Sequence, residues 1–182
     1  DIEIDQLIRM VPDVDSIIPM LSAFDGEAQF HFAAETYLRS NYDPKFSTLR
    51  AAGAIEGKDL VLMDIETFSQ IAKWLQFNKK TENKVDSISV ELAVFRDKVT
   101  LYPFLVAMDN YKAVIGGRHN IDNDLSFNYH ISLTDCPLPV RLGLDVNGTL
   151  DDMHFKPVAC KYAHLFNPEK QNVVQERTLQ LK

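Results

Sequence analysis

The chain has 182 residues, a hydrophobic fraction of 46% and a net charge of −7 from 26 acidic and 19 basic residues, enough for one domain with a sizeable core. Basic residues scattered through an acidic chain argue against a nucleic-acid partner, and against electrostatic attachment to anionic headgroups, which needs clustered Lys and Arg. No apolar run approaches the ~20 residues of a membrane span, and no signal peptide stands at Asp1.

The chain opens mid-pattern on helix-like sequence, so we expect an excised fragment of a longer protein. Over residues 4–23, Leu7, Ile8, Val11, Val14, Ile17, Ile18 and Leu21 recur at steps of three and four. Pro12 and Pro19 each suit a first helical turn, which predicts two short helices ended by Asp25-Gly26. Ala28, Phe30, Phe32 and Ala34 then alternate with Gln29, His31 and Glu35, a strand with one wet face. Asn41-Tyr42-Asp43-Pro44 is a turn. Residues 47–62 predict two short extended pieces around Gly53 and Gly57. Asp64 is a candidate N-cap for a helix over 65–77, with Phe68, Ile71, Ala72 and Leu75 on one face and Trp74 at its edge.

After the polar linker 78–84 the pattern is nearly all β. Ile88, Val90, Leu92 and Val94 alternate with Ser89, Glu91 and Ala93. Arg96-Asp97-Lys98 makes a hairpin turn. Val99 to Met108 is apolar on both faces, and Pro103 implies an edge or a bulge. Tyr111 to Leu133 reads as a second hairpin with its turn at Asn120 to Asp124. Leu125, Phe127, Tyr129, Ile131 and Leu133 form its buried face, and Ser126, Asn128, His130 and Ser132 its wet one. Gly116 and Gly117 predict a bulge or a close backbone contact, because no helix follows as a phosphate loop requires. Val140, Leu142, Leu144 and Val146 alternate with Arg141, Gly143, Asp145 and Asn147. Asn147-Gly148 is a turn, and a last strand runs from Met153 to Val158.

The order predicts an α+β fold: a long antiparallel β-meander, partly open or trough-like, with short helices at 4–23 and 65–77. Residues 1–165 form a single domain and 166–182 a polar, loosely held tail. Two such helices cannot cover one face of so many strands. The remaining apolar surface must close on itself, fold over as a trough, or bind something.

Chemistry-bearing motifs are absent. There is no G-x-S-x-G elbow, H-E-x-x-H, P-loop or C-x-x-C. His31, His119, His130 and His154 read as polar-face residues, His164 lies near the tail, and none has ligand-like spacing. We expect no metal, no cofactor and no catalysis. Glu35 and Glu91 read as solvated strand carboxylates. Cys136 and Cys160 stand 24 positions apart; they permit a disulfide in an oxidising compartment or two buried thiols, and the sequence leaves both open.

Three stretches carry a resemblance. Thr48 to Leu75, TLRAAGAIEGKDLVLMDIETFSQIAKWL, resembles the strand, G-x-I-x-G-x-x-L and helix unit near the C-terminal end of AsmA-like proteins. The following meander fits too, with YPF at Tyr102 to Phe104, GG at Gly116 and the ending at Phe127 to Ile131. Pro137 to Pro157, PLPVRLGLDVNGTLDDMHFKP, resembles the closing P-x-G-x-x-D-x-P region. The likeness covers roughly residues 26–160, although Arg96-Asp97-Lys98 lacks the glycine often found in that turn. It implies a non-catalytic periplasmic module of a Gram-negative envelope protein, anchored in the inner membrane by an N-terminal helix not present here. It also implies a role in outer-membrane assembly or phospholipid movement between membranes, along an apolar trough. Candidate trough residues are Phe127, Tyr129, Ile131, Leu142 and Leu144, with a phospholipid or other acyl lipid as partner and envelope proteins as further partners. An ordinary closed core, in a domain that caps a long β-structure and docks a partner, is the competing expectation.

Overall fold

The computed structural model describes residues 2–10, 21–62, 84–108, 111–121, 126–135, 141–149, 152–162 and 164–165. Among these residues the chain forms one short helix, α1 (Ile4–Met10), and ten strands in a single antiparallel sheet. The strands are β1 (Ile2–Glu3), β2 (Phe24–Asp25), β3 (Glu27–Glu35), β4 (Arg50–Leu62), β5 (Lys84–Phe95), β6 (Lys98–Met108), β7 (Tyr111–Asn120), β8 (Phe127–Asp135), β9 (Gly143–Gly148) and β10 (Met153–Val158). From β3 to β10 each strand pairs with the next; β1 flanks β3, and β2 pairs β4. β1 and β10 do not meet, so the sheet is open.

Period-2 alternation and register together place the apolar side chains in continuous rows. Ile55 stands opposite both Phe30 and Val90. A second row runs Leu92, Leu101, Gly117, Tyr129, Val146 and Phe155 across six strands. Ile55, Val90, Leu92, Leu101, Tyr129 and Val146 belong to one buried cluster that reaches from Ile4 and Leu21 to Leu144, with Phe30 and Phe155 packed against it. Each fully buried aliphatic side chain in it contributes roughly 1.5–3 kcal/mol. Leu7 and Ile8 of α1 and Phe24 of β2 pack against the same cluster, so the helix seals its β3–β4 end.

Several expectations meet the structure directly. The stretch 50–62 is one strand rather than two pieces. Gly53 and Gly57 do not interrupt it because neighbours fill their missing side chains: a Cβ at Gly53 would lie 2.8 Å from the Phe32 ring, and one at Gly57 2.6 Å from Leu60. At Pro103 a bulge does form. Leu101 pairs Gly117 and Phe104 pairs Ile115, so Tyr102 and Pro103 together oppose Gly116. The β5–β6 ladder holds from Leu92–Leu101 to Phe95–Lys98 and, among the described residues, stops at that bulge. The expected helical region 4–23 contributes α1 and one 3-10 turn, Leu21–Ala23. Pro12, Pro19, the helix at 65–77, Cys136, Val140 and the tail 166–182 lie outside the described residues.

Candidate functional site

The five candidate trough residues do come together. Pairing of β8 with β9 sets Tyr129 against Val146, Ile131 against Leu144 and Phe127 against Gly148. Leu133 N donates to Leu142 O at 2.9 Å. The Phe127 and Tyr129 rings are 5.9 Å apart and tilted by 34°. Tyr129, Ile131 and Leu144 are buried, at 8%, 4% and 1% exposure, while Phe127 and Leu142 are half-buried against them. In the described state this face is a packed core.

Two histidines depart from the solvated positions expected of them. His119 stands on the apolar face, between Val99 and Phe127 in the register, and is 2% exposed. Its Nδ1 lies 2.6 Å from the Tyr129 hydroxyl, which gives each buried polar group a partner. Burial pushes the Tyr129 phenol well above its ordinary pKa.

His130 is on the opposite, nominally wet face, yet it is 3% exposed. The cause is a segment distant in sequence: after β10 the chain turns back and residues 159–162 cross this face. Lys161 N donates to His130 Nε2 and to Ser132 Oγ, both at 3.1 Å. Tyr162 N donates to Ser132 Oγ at 3.1 Å. The Tyr162 ring meets the His130 ring edge-on, 5.2 Å between centroids. Cys160 Sγ reaches Leu133 O at 3.6 Å. The crossing is so close that a Cβ on Gly143 would sit 2.6 Å from Ala159 O.

Under this clasp lies an Asp145–His130–Ser132 row. His130 and Asp145 are register partners, and Nδ1 is 2.5 Å from Oδ1. Nε2 is 2.8 Å from Ser132 Oγ. Lys161 Nζ donates to both Asp145 oxygens, at 2.8 and 3.0 Å. Burial alone would raise the Asp145 carboxyl; hydrogen bonds from Lys161 and His130, with the Lys161 charge, outweigh it and hold the carboxyl below its ordinary range. With Nδ1–H donating to Asp145, Nε2 accepts from the Ser132 hydroxyl.

The order of groups is that of a hydrolytic triad, but the environment is not. Ser132 is 0% exposed, and its oxygen already accepts two backbone N–H groups. No substrate carbonyl can approach it. The arrangement joins residues 159–162 to the sheet. Nothing in the linear sequence marked it: the cue, His130 opposite Asp145, exists only once the β8–β9 register is known.

His31 and His154 are exposed, as expected, and so is His164; His154 Nδ1 lies 3.5 Å from Asp152 on the surface. Among the described residues no cluster of His, Cys, Asp or Glu could hold a metal ion, and no helix is long and apolar enough to cross a membrane. A groove of about 800 Å³ lies beside the β5–β6 seam, bordered by Gln29, Glu56, Lys58, Ser87 and Ser89 together with Ala28, Ile88, Leu105 and Ala107. The chain matches no family model, no curated protein and no solved structure.

Proposed function

We propose that the chain is a non-catalytic β-sheet module of an AsmA-like envelope protein, working on the periplasmic side of the cell envelope and holding acyl lipid against its apolar sheet face. The observation that carries this reading is the open ten-strand meander with an apolar face that runs from β3 to β10. Each methylene of a lipid tail laid on such a face contributes ~0.8 kcal/mol, so contact area alone retains a chain without a charged pocket. Inner-membrane anchoring and a part in outer-membrane assembly or inter-membrane phospholipid transport follow from the sequence resemblance. Because Tyr129, Ile131 and Leu144 are buried here, admitting a lipid requires this face to open.

That burial favours a second reading, a structural or protein-docking cap with a permanently closed core. Solvent extraction of the purified chain, mass spectrometry of the extract and titration with a fluorescent fatty acid separate the two. The lipid reading expects recovered phospholipid or fatty acid, and saturable binding weakened by Leu142→Asn or Phe127→Ser at the half-buried positions. A folded chain that yields no lipid and binds none is a cap.

A further inference from the structure

The connection between β3 and β4 is built as a rigid protrusion. Leu38 bridges Pro44. Arg39 N donates to Asp43 O, and Tyr42 N to Arg39 O, both at 2.9 Å. At its base Thr48 Oγ1 accepts from Tyr37 N at 3.1 Å and donates to Lys45 O at 2.8 Å. These bonds hold Tyr42 at the turn with φ of 68°, a left-handed conformation that a bulky residue rarely adopts. Its ring is 82% exposed, and Tyr37, Leu38 and Phe46 are exposed beside it. An aromatic residue kept in that conformation with its ring in water is an outlier that points to a use.

The β5–β6 turn docks against the base of the protrusion, with Arg96 N bonded to Leu49 O at 2.6 Å. Phe95 is exposed there, with the Arg50 and Arg96 guanidiniums 5.7 and 5.2 Å from its ring centroid. Among the described residues neither guanidinium has a carboxylate within ion-pair distance. Between them lies an open hollow of about 470 Å³ bordered by Glu35, Thr36, Tyr37, Thr48 and both arginines, with Glu35 opposite Arg50 in the β3–β4 ladder. Residues 35–50 and 95–98 hold five basic and three acidic side chains, in a chain whose net charge is −7. The fold thus gathers basic residues that look scattered along the sequence.

We propose that this end of the sheet docks on an anionic phospholipid bilayer, with Tyr37, Tyr42 and Phe95 at headgroup level and Arg50 and Arg96 on lipid phosphates. Aromatic rings with polar tips settle at the bilayer interface, and basic side chains are drawn to an anionic leaflet. The patch is a convex tip, which a soft interface accepts without a matching cavity. The proposal does not depend on lipid carriage by the sheet face, because it uses other residues.

The test is co-sedimentation of the whole chain with phosphatidylcholine vesicles, with and without about one third phosphatidylglycerol, at ~0.1 M salt. We expect binding to the anionic vesicles only. The Arg50→Gln/Arg96→Gln double variant should lower the partition constant about 30-fold, and Tyr42→Ser/Phe95→Ser should lower it as well. All four positions are exposed, so unfolding midpoints should stay near that of the native chain, and fatty-acid uptake in bilayer-free solution should be unaffected. The proposal is overturned if the native chain ignores anionic vesicles, or if the variants bind as the native chain does. It is equally overturned if the same substitutions instead abolish self-association, which would make the tip a protein interface.

Discussion

Ser132 shows how far one hydroxyl can be committed. Its oxygen serves Lys161 N and Tyr162 N while its proton faces His130 Nε2. Ser132→Ala strands Tyr162 N and leaves Lys161 N only His130 Nε2, and should cost about 1–3 kcal/mol in denaturant unfolding. His130→Gln should cost a similar amount, since it breaks the link between Ser132 and Asp145, whereas His31→Gln and His154→Gln on the surface should stay within about 0.5 kcal/mol. A Ser132→Ala protein of native stability that had lost an esterase activity would make the row catalytic and sink the clasp reading. Asp145 adds a pH dependence with a definite sign. Its folded-state pKa is lowered, so its contribution is fully present above the ordinary carboxylate range and is lost as pH falls through the folded value. Unfolding free energy measured from neutral to strongly acidic pH should therefore fall less steeply at the acid end in Asp145→Asn, from a lower starting point. Parallel acid limbs in the two proteins would deny Asp145 this role.

Between β7 and β8 the fold depends on backbone approach. A Cβ on Gly117 would lie 2.3 Å from Asn128 O and 2.7 Å from Tyr129 Cα, both backbone atoms that cannot move alone. Gly117→Ala must push β7 from β8 and should destabilise by roughly 1–3 kcal/mol or more. Gly116→Ala meets Pro103 at 3.1 Å and should be milder. Equal unfolding midpoints for the two variants would show that β7 shifts freely. Most of this element was legible in the sequence. The alternation of Phe127, Tyr129, Ile131 and Leu133 marked the strand, the glycine pair marked a bulge or a close contact, and Pro103 an edge or a bulge; at Gly117 the structure has the close contact and at Pro103 the bulge. Two things were not legible, for the same reason. The periodicity of β8 states that its faces differ, not what covers them, so it could not show that residues 159–162 return to bury His130. Nor could composition reveal that Arg50 and Arg96, 46 positions apart, flank one ring. Both depend on long-range pairing, which no local window contains.

An open sheet leaves two edges, and an exposed edge is a template for another strand. At β10 the outer edge has no partner among the described residues, and it carries Lys156 and Pro157. Pro157 stands opposite Leu144 in the ladder with β9. A proline is tolerated in a strand where its nitrogen points away from the partner, so here the missing donor falls on the outer side. Lys156 adds charge beside it. Together they blunt the edge of a sheet that would otherwise extend by end-to-end pairing. Pro157→Val should keep the β9 ladder, restore one outward N–H and add β-propensity. The variant should therefore form larger species than the native chain as concentration rises in light scattering, with little change in unfolding midpoint. If both proteins show the same size at every concentration, Pro157 is not what limits pairing at this edge. If the variant instead unfolds more readily, the proline nitrogen faces β9, and the outer edge is restrained by some other feature.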